Sequence, residues 1–130
     1  MQHSLRDLSA RSVLVVDDDD AIREVLSGVI TDEGYEVECA ANGAAALTAL
    51  DQMAEPPGLV LLDLMMPVMS GWEFLEAVQR DVRYAKIPII VVSAMNAPGA
   101  CEHIAKPIDL ERLLAAVARF CGVPGTRSTG

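Results

Sequence analysis

Three short apolar runs constrain this chain more than any other feature. Val13-Leu14-Val15-Val16, Leu59-Val60-Leu61-Leu62 and Ile87 to Val92 are nearly continuous and rich in β-branched side chains. They lack the alternation of a strand with one wet face, so each reads as a strand covered on both sides. Cover on both sides means helices above and below a mainly parallel sheet. The stretches between the runs have the matching helical period. Ile22, Val25, Leu26, Val29 and Ile30 recur at i, i+3, i+4, i+7 and i+8, with Asp20 placed to cap that helix and Gly34 to end it.

The remaining segments complete the alternation. Tyr35, Val37 and Cys39 alternate with Glu36 and Glu38, which predicts a strand with one solvated face, at an edge of the sheet. Asn42-Gly43 opens an alanine-rich helix that ends near Met53, before Pro56-Pro57. Ser70 and Glu73 form a capping box for a helix carrying Trp72, Phe74, Leu75 and Val78. Pro88 must sit near the start of its strand, where a missing N–H is tolerated. His103-Ile104-Ala105 is a weak strand, and Asp109 caps a last helix with Leu110, Leu113, Leu114, Val117 and Cys121 on its buried stripe. Five strands alternating with helices predict an α/β fold. It is the flavodoxin-like, doubly wound parallel sheet of order 2-1-3-4-5. The expected divisions are an N-terminal tail over 1–10, one domain over 11–122 and a disordered tail over 123–130.

Composition excludes several function classes. The net charge is −9, with 10 basic residues against 19 acidic ones, so nucleic acid and anionic membranes are not expected partners. Cys39, Cys101 and Cys121 are odd in number and show no CxxC pair. They read as small buried or half-buried residues in a reducing compartment rather than as a disulfide framework or zinc site. The N-terminal MQHSLRDLSARS has no apolar signal region, and no apolar run is long enough to span a bilayer. A cytoplasmic location is expected.

The chemistry lies at the strand ends. Asp17-Asp18 follows the first strand, Asp63 the third, Ser93 the fourth and Lys106 the fifth. In a parallel sheet these ends share one edge, at the switch point where such folds bind ligands. Each residue alone has a plainer reading: the four acids Asp17 to Asp20 as a solvated turn and cap, Asp63 as a turn residue, Lys106-Pro107 as a loop. Together they make a different case. Three carboxylates in one crevice repel one another unless a cation joins them. Mg2+ takes one or two carboxylates, keeps waters and binds phosphate oxygens. Lys106 supplies a compact positive charge, and the Ser93 hydroxyl can donate to a phosphoryl oxygen. A carboxylate can be the nucleophile that forms an aspartyl phosphate.

The segments VLVVDDDDAIREVL, LVLLDLMMPVMSGWEFL, IPIIVVSA and IAKPIDLERLLAAV resemble the signature blocks of response-regulator receiver domains of two-component signalling, from about Ser12 to Cys121. The resemblance implies that Asp63 accepts a phosphoryl group from a histidine kinase or phosphotransfer protein. It implies Mg2+ ligands in Asp18, Asp63 and the backbone carbonyl of Met65, with Asp17 acting through water. Ser93 becomes the switch hydroxyl, and Lys106, before a cis proline bond, the contact to the phosphoryl group. His103 falls where the family carries an aromatic switch residue, although a surface histidine without a role fits the residue equally. The output would be a changed surface for an unknown target protein.

This sequence departs from the family in one place. Only Met95 to Cys101 separate Ala94 from Glu102, with Pro98-Gly99 in the middle. A parallel crossover usually takes about ten to twelve residues or more. The helix between strands four and five is therefore expected to be missing or reduced. Sheet surface near Ile90, Val92 and Ile104 would then be poorly covered, and a second copy of the chain is a candidate cover, giving a homodimer. Three other functions compete. A phosphorylation-independent interaction module is motivated by the short crossover. A phosphohydrolase of the haloacid-dehalogenase type would want an acid where Met65 stands. Flavin binding would want a phosphate-cradling loop where the four acids stand.

Overall fold

The computed structural model describes residues 11–94 and 102–122. The tails expected over 1–10 and 123–130 lie outside the described residues, as do Cys101 and residues 95–100. The elements follow in the order β1 (Ser12–Val16), α1 (Asp20–Asp32), β2 (Glu36–Ala40), α2 (Gly43–Gln52), β3 (Leu59–Leu62), α3 (Gly71–Arg80), β4 (Ile89–Ser93), β5 (Glu102–Ala105) and α4 (Leu110–Cys121). The five strands form one sheet in the order β2-β1-β3-β4-β5, and every pairing is parallel. This is the flavodoxin-like order. The described residues hold four helices, one fewer than a full alternation. The reduced helix itself was expected over 95–101, which is outside the described residues.

Alternation along the central strands divides the core in two. Val13, Val15, Leu59, Leu61, Ile90, Val92 and Ile104 pack with Leu26 and Ile30 of α1 and with Leu113 and Val117 of α4. Leu14, Val16, Val60, Leu62 and Val91 pack on the other face with Ala46 and Leu50 of α2 and Phe74, Leu75 and Val78 of α3. Burial of both faces is what selected the continuous apolar runs.

The structure corrects several expectations. Ile90, Val92 and Ile104 are 0%, 2% and 1% exposed. They point toward α1 and α4, not toward the face of Val91, so their own chain covers them. The exposure on which the homodimer rested is absent at these three residues. Asp19, not Asp20, caps α1: its backbone is extended and its carboxylate accepts from the N–H groups of Ala21 and Ile22. Asp20 is already the first helical residue. Cys39 is exposed on the edge strand β2, whereas Cys121 is buried. Leu110 is 37% exposed, because it lies at the very start of α4 where the helix has not yet reached the sheet. The capping box of Ser70 and Glu73 and the cap by Asp109 form as expected, and Asn42 caps α2 by accepting from the Ala45 N–H. Gly34 follows α1 at φ 101°, the left-handed geometry that ends a helix.

Gly71 fixes how closely α3 approaches the end of β3. A Cβ there would stand 2.3 Å from the Asp63 carbonyl oxygen and 2.8 Å from the Leu64 Cα. Both are backbone atoms and cannot yield cheaply. Gly28, in the interior of α1, has nothing within 4 Å of the equivalent position. Urea denaturation should therefore separate two identical substitutions. Gly71→Ala is expected to cost about 1–3 kcal/mol through overpacking, and Gly28→Ala to add about 0.5–1 kcal/mol through helix propensity.

Candidate functional site

Register brings the expected site residues together. Val16 is paired with Leu62 and Leu62 with Val91, so the residues that follow β1 and β3 leave the sheet side by side. Asp17 stays tied to the neighbouring strand by its N–H, which donates to the Ala40 carbonyl at 3.1 Å. The Asp63 N–H donates to the Val16 carbonyl at 2.9 Å. Asp17 and Asp63 are 3% and 6% exposed, whereas Asp18 is open to solvent. Carboxylate oxygens of Asp17, Asp18 and Asp63 all lie within 4.8 Å of one another.

Lys106 enters from the end of β5. Its Nζ lies 2.9 Å from Asp17 Oδ2 and 3.8 Å from Asp63 Oδ2, so the bond is to Asp17 and Asp63 feels mainly the charge. The Lys106–Pro107 peptide is cis. The other Asp17 oxygen accepts from the Asp19 N–H at 2.9 Å. Both Asp17 oxygens are thus engaged by this chain, which leaves the exposed Asp18 as the more available acid.

Ser93 closes β4 at the same edge, with 1% exposure. Its carbonyl accepts from the Lys106 N–H at 3.2 Å and lies 3.1 Å from His103 Nε2. His103, half-buried on β5, is thereby joined to the strand end that carries Ser93. Met65 stands in the loop after β3 with its side chain 61% exposed. Its backbone N–H and that of Leu64 favour the ionised form of the Asp63 carboxylate.

Asp63 holds its proton more tightly than an ordinary aspartate. Burial is the main cause and the charge of Asp17 the second; Lys106 and the N–H groups of Met65 and Leu64 oppose them. A hard divalent cation fits this donor set: three carboxylates in one cleft, all oxygen, two of them buried. It would offset the repulsion that one lysine leaves uncompensated.

Residues 13–118 match the family model of the response regulator receiver domain. The chain belongs to the response-regulator receiver family. Chemotaxis protein CheY4 of Vibrio cholerae is 35% identical, with a TM-score of 0.75 over 84% of this chain and 97% of that one. A CheY-like receiver domain protein from Methanospirillum hungatei is 31% identical, with the same TM-score of 0.75 over 88% of this chain and 97% of that one. Among curated relatives, the DNA-binding dual master transcriptional regulator RpaA of Synechocystis sp. is 32% identical over 114 residues, 81% of this chain and 46% of that protein. The DNA-binding response regulator MtrA of Mycolicibacterium smegmatis is 32% identical over 120 residues, 85% of this chain and 50% of that protein. The chain spans about half the length of these relatives, so the expectation of no nucleic-acid partner concerns this receiver chain alone. No helix among the described residues is long and apolar enough to cross a membrane.

Two site features escaped the sequence reading. Gly71 is one. Arg23 is the other: its Nη1 donates to the Asp17 carbonyl at 2.7 Å and its Nη2 pairs with the Asp20 carboxylate. A helical arginine three residues after the last acid of the run was the available signal, since i, i+3 neighbours share a face.

The raised proton affinity of Asp63 has a definite consequence for stability. The folded protein keeps the Asp63 proton to a higher pH than the unfolded chain does. Stability contributed by this group is therefore present at low pH and is lost as pH rises from the ordinary aspartate range through the folded value. Asp63→Asn removes that loss. In EDTA at pH 7 the variant should melt at a higher temperature than wild type, and the two should converge as pH falls toward 4. A wild type at least as stable as the variant at pH 7 would contradict the electrostatic account.

Proposed function

We propose that this receiver takes a phosphoryl group onto Asp63 from a phosphohistidine of a sensor histidine kinase or phosphotransfer protein. The observation that carries the reading is the convergence of Asp17, Asp18 and Asp63 with Lys106 at one sheet edge. An Asp63 carboxylate oxygen forms the new bond to phosphorus, the phosphorus–nitrogen bond to the donor histidine breaks, and the product is an acyl phosphate. Catalysis here is positioning and charge neutralisation.

Asp18, Asp63 and the Met65 carbonyl would hold Mg2+ directly, and Asp17 through water. When bound, the ion supplies positive charge to the carboxylates and to the phosphoryl oxygens. Lys106, which bonds Asp17 at 2.9 Å, would then be available to contact a phosphoryl oxygen. The Ser93 hydroxyl donates to another. The Ser93 carbonyl is already bonded by the Lys106 N–H and held near His103. Movement at Ser93 is thereby relayed to His103, which serves as the switch residue, and an altered surface is read by a target protein. The domain catalyses its own phosphorylation from the donor and the later hydrolysis of the acyl phosphate by water, and acts on no external metabolite. A cytoplasmic location matches this partnership.

A shallow apolar groove gives the donor a place to dock. Ala21, Ile22, Val25, Leu26, Ile108 and Leu110 line a space of about 230 Å³. One wall begins just after the acids of β1 and the other just after Lys106-Pro107, so an apolar helix seated there holds its histidine near Asp63. Val25, 52% exposed, is the accessible anchor.

A second reading, a phosphorylation-independent interaction module, draws on the short connection between Ser93 and Glu102. One pair of measurements separates the two. With acetyl phosphate and Mg2+, intact mass should show one added phosphoryl group on wild type and none on Asp63→Asn. Identical spectra favour the second reading. Val25→Asp should keep labelling by acetyl phosphate but slow transfer from a phosphorylated histidine-phosphotransfer domain roughly tenfold or more, as loss of a buried anchor contact does.

A further inference from the structure

We propose that Arg23 is a positioning residue for the cation site: its guanidinium fixes the turn that aims the Asp17 and Asp18 carboxylates at Asp63. The inference rests on the metal-dependent reading above. Arg23 is the single basic residue of α1, which opens directly after the acid run. Its side chain is only 20% exposed, although the Asp20 carboxylate it pairs with is 92% exposed. It lies folded back over the turn instead of extending into solvent.

Two contacts define the clamp. Nη1 donates to the Asp17 carbonyl at 2.7 Å, the short distance expected of a charged donor. Nη2 engages Asp20. The Asp17 carbonyl sits where the sheet ladder has ended, and both oxygens of the Asp17 side chain are bound by Lys106 and by the Asp19 N–H. Arg23 therefore fixes the one remaining polar atom of Asp17. The peptide plane that carries this carbonyl also carries the N–H of Asp18. Holding that plane sets the direction in which Asp18 leaves the strand.

A lysine cannot copy this. The guanidinium is a rigid fork that spans two acceptors, whereas an ammonium is a single point. Charge and geometry are thus separable by experiment. If Arg23 acted only as a positive charge beside four acids, it would oppose cation binding. Removing it would then tighten Mg2+, and Lys would leave the affinity unchanged. If it holds the turn, both Arg23→Gln and Arg23→Lys weaken Mg2+.

Calorimetric titration of Mg2+ into wild type, Arg23→Lys and Arg23→Gln tests this, with thermal melts in EDTA alongside. The expected result is dissociation constants raised roughly tenfold in both variants, the scale at which outer supports of a metal site act, with cooperative melts retained. Unchanged affinity in Arg23→Lys, or tighter binding by Arg23→Gln, would overturn the proposal. Should Arg23→Gln fail to fold, Arg23→Lys alone decides by the same criterion. Absence of Mg2+ binding by the wild type is a different failure: it removes the metal reading itself, and the role of Arg23 with it.

Discussion

The bond between Lys106 and Asp17 ties the architecture to the chemistry. Asp17 is a carboxylate at 3% exposure, and a charge so placed is costly unless paired and hydrogen-bonded. Lys106 Nζ at 2.9 Å and the Asp19 N–H at 2.9 Å provide both conditions. The pair also joins the ends of β1 and β5, strands separated by β3 and β4 in the sheet. It can form only if the whole parallel register is correct. The site is therefore a product of the sheet, assembled from residues that are remote in sequence and adjacent only once all five strands are in place.

That placement is not favourable for the fold taken alone. One lysine faces Asp17 and Asp63 together, and its closer partner is Asp17. Asp63 is left with burial and a neighbouring negative charge acting against its ionisation. The environment that raises the proton affinity of Asp63 therefore acts against its ionised form. A cation bound among these carboxylates would stabilise both the ionised form of Asp63 and the folded state that holds it. The charge count at the sheet edge, three carboxylates against one lysine, suits a divalent cation.

Much of this was legible from the amino-acid order, for a physical reason. Parallel strands buried on both faces leave long apolar runs, so β1, β3 and β4 declared themselves, and the polar residue ending each run marked the shared edge. Capping chemistry was legible where the side chain and its target are close in sequence, as at Ser70 and Asp109. In the run of four acids it was not, because four identical side chains compete and only backbone geometry picks Asp19 over Asp20. The cover over Ile90, Val92 and Ile104 was harder to foresee, because it depends on which helices take the face to which alternation assigns them, and that face packs on α1 and α4. Close approaches such as Gly71 against the Asp63 carbonyl leave no pattern in a single sequence beyond the glycine itself.

The loop that follows Asp63 shows where the fold tolerates cost. Val68 is held at φ 67°. This left-handed region costs an L residue roughly 1–2 kcal/mol, and more than usual for a β-branched one. At 83% exposure Val68 recovers nothing by burial. Its neighbours hold it there. The Met69 N–H donates to the Pro67 carbonyl at 2.7 Å, the Gly43 N–H to the Met69 carbonyl at 2.9 Å, and the Gly71 N–H to the Leu64 carbonyl at 3.0 Å. Gly43 and Gly71, the first residues of α2 and α3, clamp the loop from two sides, and both lack the Cβ that would push it away. The strain at Val68 is thus balanced against backbone bonds that keep the segment after Asp63 tight against two helix starts. The unfavourable dihedral persists because these backbone bonds on both sides over-determine it.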